Sequence, residues 1–291
     1  MSRIAYVNGR YVPVGARAIA IEDRGYQFAD GIYEVIRVID GKTGDLDRHL
    51  DRLERSLREL AIEPPMSRAA LRTVIGETLR RNRLRHAVVY IQISRGIAPR
   101  NHIVPASGRA SLVVTVRRAR LPSPHEVDAG CRVIAMPDER WHRCDIKSIG
   151  LLPNLLARTK AHREGAREAW LVDDDGFVTE GSSSNAWIVD GEGRLVTRPA
   201  GTEILGGITR SVVLELARKL GIEVVERPFT LEEARGAREA FLTSTSSLVM
   251  PVVQIDDSIV ANGVPGSITR QLQAEYSRRA GLDVLYTQQD R

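Results

Sequence analysis

Hydrophobic residues in the first 120 positions follow two periods, one typical of strands and one typical of helices. Runs rich in β-branched residues at 33–38, 88–94 and 112–116 predict strands. The pair Asn8-Gly9, which lies between two short apolar runs, predicts a hairpin turn. Strands that are joined by hairpins favour antiparallel pairing in this half of the chain.

Spacings of three and four residues between apolar positions indicate the helices. Leu50, Leu53, Leu57 and Leu60 lie on one face of a helix by this criterion. The same period predicts a helix at 71–79. Further helices are predicted at 153–164, which begins at Pro153, at 209–220, which stops at Gly221, and at 267–280.

The second half of the chain also mixes strands with helices. Strands are predicted at 133–136, 169–172 and 241–243, and a hairpin is predicted between 185–189 and 194–196. The fold class is therefore α/β in the mixed α+β sense, and antiparallel or mixed sheets are favoured over a doubly wound sheet.

One segment separates the two halves. Residues 121–130 contain two prolines and a glycine, which is typical of an interdomain linker. We therefore expect a small N-terminal α/β domain at 1–120 and a larger C-terminal domain at 131–291.

Composition limits the class of protein. The chain has 291 residues, of which 43% are hydrophobic and 27% charged, as in ordinary globular proteins. Two cysteines exclude a disulfide scaffold, and no apolar run approaches the length of a membrane helix. The first residues show no signal-peptide pattern, so we expect a cytoplasmic protein with no membrane partner.

The net charge of +5 allows two interpretations. Of the 42 basic residues only four are lysines, which is most simply a composition bias of the source genome. The alternative is a protein that binds nucleic acid or another anion without catalysis, through the arginine runs at 80–85 and 117–120. Aromatic residues make up only 5%, which is poor material for stacking on bases, so we expect no nucleic-acid partner.

Several chemistries lose support because their motifs are missing. The chain has no GxxxxGK[ST] loop, no GxGxxG after a strand, no CxxC pair and no GxSxG turn. Its six histidines do not have metal-ligand spacing, so we expect no metal site.

Lys147 stands out among the four lysines. Lys42, Lys160 and Lys219 lie in a turn or in amphipathic helices, where solvent exposure explains them. Lys147 lies in a largely apolar, irregular stretch of a chain that otherwise uses arginine. Lysine can form an imine and arginine cannot, whereas the simpler interpretation is an ion pair with Asp145.

An imine-forming lysine suggests pyridoxal 5'-phosphate, which also needs a phosphate site and a group at its ring nitrogen. Gly206-Gly207-Ile208-Thr209 opens a predicted helix, where free amides favour a phosphate, and the hydroxyl run 243–247 could add to it. Glu180, before a Gly-Ser turn, could keep the pyridine nitrogen protonated. Each feature also has a simpler interpretation: a helix cap, a serine turn and a surface acid.

Five strings in one order resemble the fold-type IV pyridoxal-phosphate enzymes, the class IV aminotransferases and their relatives. They are 23–35 (DRGYQFADGIYEV), 49–53 (HLDRL), 145–157 (DIKS with NLLA), 180–185 (EGSSSN) and 207–210 (GITR). The family includes branched-chain aminotransferases, D-amino-acid aminotransferases and aminodeoxychorismate lyases. The resemblance covers nearly the whole chain and implies two domains, an N-terminal α/β sandwich and a C-terminal pseudo-barrel β domain with helices that binds the cofactor.

The resemblance also assigns roles to individual residues. It implies that Lys147 is the catalytic Schiff-base lysine, that Arg52 contacts the cofactor phosphate and that Glu180 pairs with the pyridine nitrogen. The other cofactor-binding residues that it implies are Ser183 and Leu205 near the ring, Asn185 behind the site, and Ile208, Thr209, Ser244 and Thr245 at the phosphate.

The loop at 95–102 distinguishes the members of the family. It resembles the loop of D-amino-acid aminotransferases, in which an Arg-x-His pair and a tyrosine bind the substrate α-carboxylate. The matching residues are Arg100, His102 and Tyr33, and an arginine fork suits a carboxylate. The resemblance implies that this loop reaches the active site of a neighbouring subunit, and hence a homodimer.

The leading hypothesis is ping-pong transamination between a D-amino acid, of the D-alanine or D-glutamate type, and a 2-oxo acid. The alternative is an L-branched-chain aminotransferase or an aminodeoxychorismate lyase on the same fold, because several motifs are shared. Ala29 replaces an expected glycine and Ile39 an aromatic residue that is common there, which leaves the preferred substrate open.

Overall fold

The computed structural model describes residues 3–106 and 108–282. Residues 1, 2, 107 and 283–291, which belong to the predicted domains 1–120 and 131–291, lie outside the described part. The chain divides into two compact units. The first contains the residues up to Arg120 together with Ile146–Gly150, and the second contains Leu121–Asp145 and the residues from Leu151 onward.

The first unit is built on an antiparallel sheet in the order β2-β1-β6-β5-β3-β4. Its strands are β1 (Ile4–Val7), β2 (Arg10–Pro13), β3 (Gly31–Ile39), β4 (Lys42–Thr43), β5 (Ala87–Ser94) and β6 (Ser111–Arg118). The hairpin predicted at Asn8-Gly9 joins β1 to β2, with both turn residues at positive φ.

Three helices accompany this sheet: α1 (Arg24–Phe28), α2 (Leu46–Glu59) and α3 (Arg68–Asn82). The predicted leucine face of α2 is correct, since Leu50, Leu53 and Leu57 are at most 2% exposed. Helices α2 and α3 share one hydrophobic core with alternate residues of β3, among them Ile32 and Ile36. The intervening residues of β3, including Tyr33, therefore point to the opposite face of the sheet.

The segment Ile146–Gly150 lies along the edge of β3. Tyr33 N donates to Lys147 O at 3.0 Å, Ile149 N donates to Gly31 O at 3.0 Å, and Ser148 forms an antiparallel bridge with Ile32. These contacts group the segment with the first unit, although the boundaries expected from sequence put it in the second domain.

The second unit contains a mixed, half-barrel sheet in the order β12-β11-β10-β13-β14-β7-β8-β9, with β15 paired to β14. Its strands are β7 (Cys131–Pro137), β8 (Glu168–Val172), β9 (Val178–Gly181), β10 (Asn185–Val189), β11 (Leu195–Thr197), β12 (Val224–Glu226), β13 (Glu239–Ser244), β14 (Leu248–Ile255) and β15 (Ser258–Ile259). Parallel pairs join β7 to β8, β7 to β14 and β11 to β12.

Both faces of the central strands of this sheet are buried. The helices of the unit are α4 (Pro124–Ala129), α5 (Leu152–Arg163), α6 (Ile208–Lys219), α7 (Leu231–Arg235) and α8 (Ser267–Ala280). In β10, Ala186 and Ile188 enter one core, whereas Trp187 and Val189 pack with α6 and α8 in another. Burial on both sides explains why the strands are continuous apolar runs rather than alternating ones.

The predicted fold class, mixed α/β with two different sheets, is confirmed. The segment 121–130, expected as a linker, contains α4, because Ser123 and Glu126 form a capping box with Pro124 in the first turn. Among the described helices, none combines the length and the apolar character needed to cross a membrane.

Candidate active site

Lys147 is held beside Tyr33 in the first unit. Its Nζ lies 3.3 Å from the Tyr33 hydroxyl and 4.3 Å from the centroid of the Tyr33 ring. Its backbone N donates to Ser56 Oγ of α2 at 3.4 Å. The pairing with the edge of β3 therefore brings the Lys147 amine to a phenol and its backbone to α2.

The contacts around Asp145 and the burial of Lys147 bear on the two interpretations of this lysine. Asp145, the partner of the simpler one, accepts hydrogen bonds from Arg143 at 2.9 and 3.1 Å. Lys147 is partly buried, whereas the other three lysines are exposed. Partial burial beside a hydroxyl is the environment expected for a lysine that acts as a nucleophile.

Tyr33 is fixed by a second tyrosine. The Tyr90 ring stacks on it with centroids 5.6 Å apart, and Tyr90 donates to Gln92 Oε1 at 2.8 Å. Burial, with the neighbouring Tyr33, raises the pKa of Tyr90 to about 12. Tyr90 therefore stays a neutral support for Tyr33 at physiological pH.

Arg52, the predicted phosphate ligand, is aimed by a buried carboxylate. Its Nε and Nη2 donate to the two oxygens of Glu34 at 2.7 and 2.9 Å, and His49 Nδ1 lies 2.8 Å from Glu34 Oε2. Burial alone would raise the pKa of Glu34, but the Arg52 charge and the hydrogen bonds from His49 and Arg52 lower it to about 2. Glu34 is therefore an anion that fixes the direction of Arg52.

Glu180 is the corresponding carboxylate of the second unit, at the end of β9, and it is 5% exposed. Asn185 Nδ2 and Leu205 N donate to its Oε2 at 3.0 and 3.1 Å, and Arg140 Nη1 donates to its Oε1. Asn185 Nδ2 also donates to Leu205 O at 2.9 Å. The structure thus brings together three residues that were predicted from sequence.

A second acid supports Arg140 from behind. Asp138 accepts from Arg140 Nε at 2.8 Å and from Nη2 at 2.7 Å, and Thr179 Oγ1 donates to Asp138 at 2.7 Å. Burial opposes the charge of Asp138, but the Arg140 guanidinium outweighs it and keeps the pKa of Asp138 low. Glu180 therefore faces a cation that is already fixed and charged.

Ser183 is held by another buried carboxylate. Glu168, which is 1% exposed, accepts from Ser183 N at 2.8 Å, from Ser182 Oγ at 2.5 Å and from Arg158 at 2.6 Å. Asn154 Nδ2 donates to Ser182 O at 2.9 Å. These contacts fix the turn between β9 and β10 that follows Glu180.

Ile208 and Thr209 form the first turn of α6. The amides of a first turn have no partner within the helix, so the end carries donors and a positive dipole that suit a phosphate. Gly207 precedes them in extended conformation, and a Cβ there would lie 2.0 Å from Asn185 Oδ1. The glycine is required because the Asn185 side chain passes close to the backbone.

Ser244 and Thr245 lie where β13 ends and a turn begins. Ser244 Oγ accepts from Ser247 N at 2.9 Å and lies 3.2 Å from Ser246 Oγ. The run is therefore a serine turn, as its simpler interpretation predicts, and it also presents hydroxyl groups at a strand end.

Arg100 and His102 are exposed residues of the loop between β5 and β6. The Arg100 guanidinium carbon lies 4.6 Å from the centroid of the Phe28 ring, and the His102 ring centroid lies 5.5 Å from it. The two predicted carboxylate-binding residues therefore lie on one aromatic side chain.

Each unit, taken by itself, holds groups that suit part of pyridoxal 5'-phosphate. The first unit holds an amine beside a phenol and a directed arginine, and the second holds a carboxylate fixed by an arginine, and the first turn of a helix. Sequence reasoning did not single out Glu34, Asp138, Arg140 or Glu168. Their only sequence signal is a charged residue within or beside an apolar strand.

Comparisons with known proteins agree with this chemistry. The sequence model of the family Amino-transferase class IV matches residues 31–255. D-alanine aminotransferase of Listeria innocua serovar 6a is 41% identical over 268 residues, which cover 91% of this chain and 92% of that protein. Those of Bacillus licheniformis (91% of this chain, 93% of that protein) and Staphylococcus haemolyticus (94% and 96%) are 40% and 36% identical.

Solved structures agree as well. The branched-chain aminotransferase of the thermophilic archaeon Thermoproteus uzoniensis with norvaline has a TM-score of 0.87 at 26% identity, covering 98% of this chain and 97% of that one. The branched-chain amino acid aminotransferase of Thermobaculum terrenum in its PLP-form has a TM-score of 0.82 at 25% identity, covering 98% of this chain and 96% of that one. The chain belongs to the class IV aminotransferases.

Proposed function

We propose that this enzyme transfers an amino group between a D-amino acid, of the D-alanine or D-glutamate type, and a 2-oxo acid by a ping-pong mechanism. The observation that carries the proposal is the 36–41% identity to D-alanine aminotransferases over more than nine tenths of the chain. The loop with Arg100 and His102 supports it from the structure.

The cofactor is pyridoxal 5'-phosphate, which when bound takes up the electron pair left on the substrate α-carbon after deprotonation. Lys147 is the residue that would hold it covalently and then move the proton at the α-carbon. Tyr33 would orient the Lys147 amine, because its hydroxyl lies 3.3 Å from Nζ.

The other residues would hold the cofactor and set its charge. Glu180, which accepts a hydrogen bond from Arg140, would stabilise a proton on the pyridine nitrogen. Ser183 and Leu205 would contact the ring, and Asn185 would hold Glu180 in place. The phosphate ligands would be Arg52, Ile208, Thr209, Ser244 and Thr245.

Substrate handedness is a property of the carboxylate-binding residues. Arg100 offers a fork of donors to the α-carboxylate, and His102 and Tyr33 add single donors from other directions. The orientation that these residues impose would decide whether the D- or the L-enantiomer directs its α-hydrogen toward Lys147. One lysine can therefore serve either hand in different relatives.

We further propose a cytoplasmic homodimer. Cys131 and Cys144 are both free thiols, which suits a reducing compartment. Leu152, Leu155 and Leu156 share one face of α5 and are 57–67% exposed, which supports contact with a second copy.

Steady-state assays test the proposal. D-alanine with 2-oxoglutarate is expected to be turned over far faster than L-leucine with the same acceptor, and aminodeoxychorismate is expected not to react. Lys147→Ala should abolish turnover, and Arg100→Ala should raise the KM for D-alanine by about tenfold or more with little change in cofactor affinity. Multiple turnovers by the Lys147 variant, or preferred use of L-leucine, would contradict the assignment.

A further inference from the structure

The short helix α1 contacts each of three consecutive residues of the loop at 95–102. The ring of Phe28 lies 4.6 Å from the guanidinium carbon of Arg100 and 5.5 Å from the ring of His102. Between these two residues, the carbonyl of Asn101 accepts a hydrogen bond from Arg24 Nη1 at 2.7 Å. The two proposed carboxylate-binding side chains and the backbone between them are thus fixed to one helix.

The beginning of the loop is attached to the same helix. Arg24 N donates to Gly96 O at 2.8 Å, and Ala98 N donates to Glu22 O at 3.2 Å. Gln27 Nε2 donates to both Glu22 O and Ala98 O, at 2.8 and 3.1 Å. The loop is therefore ordered by α1 from its first residues.

The two arginines that contact Phe28 differ in their burial and in their ion pairing. Arg24, whose guanidinium carbon lies 4.8 Å from the ring centroid, is 4% exposed and pairs with Asp30 at 2.7 Å. Arg100 is exposed. Stacking on an aromatic ring uses the flat face of a guanidinium, and its N–H donors lie in the guanidinium plane, where a carboxylate binds.

We propose that Phe28 is a positioning residue for substrate binding, which sets the orientation of Arg100 and His102 before the α-carboxylate arrives. A side chain that is already oriented loses less conformational entropy on binding, so the affinity for the substrate rises. The proposal rests on the function proposed above and extends the substrate-binding machinery to α1.

Replacement of the ring tests it. Phe28→Leu removes the aromatic face at similar size, and Phe28→Met is a second ring-free variant in case the first folds poorly. Both should raise the KM for D-alanine about fivefold, with kcat within about twofold and the cofactor dissociation constant unchanged. Phe28→Tyr keeps the ring and should retain the wild-type KM.

Two controls separate positioning from general damage. Tyr26 lies on the same helix with 79% exposure, so Tyr26→Leu should leave the KM unchanged. The double variant Phe28→Leu, Arg100→Ala should be less impaired than the product of the two single effects, since Phe28 acts partly through Arg100. Three outcomes would overturn the inference. They are a fall in kcat as large as the rise in KM in the ring-free variants, a raised KM in Phe28→Tyr, and fully multiplicative effects in the double variant.

Hydrogen exchange of the loop amides at 96–103 gives a readout that does not depend on activity. Ring-free variants should exchange faster there than the wild type, and Phe28→Tyr should not. If the wild type prefers L-leucine, the proposed function fails, while the exchange rates still decide the role of Phe28. If the wild type uses D-alanine and neither the KM nor exchange responds to ring removal, only the role of Phe28 fails.

Discussion

Glu34 shows how one buried residue can connect stability with ligand binding. It is completely buried, yet two cationic or donor side chains hold its pKa at about 2. Because Arg52 directs two N–H groups at Glu34, the same carboxylate both stabilises the fold and aims the proposed phosphate ligand. Removal of one member of such a buried pair leaves the other charge uncompensated.

Glu34 should therefore make the stability depend on pH. Its pKa falls from 4.5 in the unfolded chain to about 2 in the folded protein, which corresponds to about 3 kcal/mol. A lowered folded-state pKa stabilises the fold above pH 4.5, and this stabilisation is lost as the pH falls from 4.5 toward 2. Urea unfolding should show Glu34→Gln less stable than the wild type at pH 7, with a difference that narrows in that interval.

Glu77 provides the matched control for this measurement. It also pairs with two arginines, Arg80 and Arg81, but all three side chains are on the surface. Solvent screens such pairs, so Glu77→Gln should change the free energy of unfolding far less than Glu34→Gln. Equal effects of the two substitutions at pH 7 would show that burial of Glu34 does not matter.

Some residues of the candidate site were predicted from sequence, and others were missed for a physical reason. Lys147 was recognisable because lysine is rare in this chain and its surroundings are apolar. Glu34 and Arg140 were not, because their partners Arg52 and Glu180 are 18 and 40 positions away. A single charged residue in a strand has no periodicity that would reveal such a partner.

At the scale of elements, the first turn of α6 is tied to Glu180 through Asn185. Asn185 Nδ2 donates to Glu180, while its Oδ1 would lie only 2.0 Å from a Cβ on Gly207. The position of the helix terminus and that of the carboxylate are therefore coupled by one amide side chain. A change in the backbone at Gly207 should therefore shift both the first turn of α6 and the Glu180 carboxylate.

Gly207→Ala tests this coupling. The new methyl group would overlap Asn185 Oδ1 and force the amide away from Glu180, so the cofactor dissociation constant should rise by about tenfold. Gly206→Ala is the matched control, because a Cβ at Gly206 meets nothing within 4 Å. Titration of the apoenzyme with cofactor measures both variants, and equal constants for the two would contradict the coupling.

The predicted elements were most accurate where the apolar pattern was periodic. The face of α2 was predicted from leucine spacing, and the structure confirms this helix together with the predicted helices α6 and α8. Strand β14 was missed because it is buried over most of its length, contains Pro251 and lacks alternation. The resemblance leads to an expected glycine at position 29, and the structure gives the reason. Ala29 ends α1 in the left-handed region at φ 55°, a conformation that glycine adopts most readily.

At the scale of the whole molecule, the proposed homodimer makes a prediction that a monomer does not. The resemblance implies that Arg100 of one subunit serves the Lys147 site of the other. In a mixed dimer of Lys147→Ala and Arg100→Ala, one site would then contain both native residues. Random exchange of subunits should restore about a quarter of wild-type activity from two inactive or weak parents.

The alternative, in which the loop of each subunit serves the site of that same subunit, predicts no restored activity. If each loop served its own site, every site of the mixed dimer would keep one defect, and activity would stay at the average of the parents. Each parent mixed with itself under the same exchange conditions is the control. Denaturation and refolding of the mixture, followed by a D-alanine assay, measures the difference.

The most direct test of the central claim is the visible spectrum of the purified holoenzyme during the first half-reaction, without a 2-oxo acid. D-alanine is expected to remove the absorption band of the lysine-bound cofactor, and L-leucine, in a parallel cuvette, is expected to leave it unchanged. Lys147→Ala should lack the band before any amino acid is added. Loss of the band with L-leucine alone would contradict D-amino-acid transamination, because Arg100 and His102 could then not select a D-amino acid.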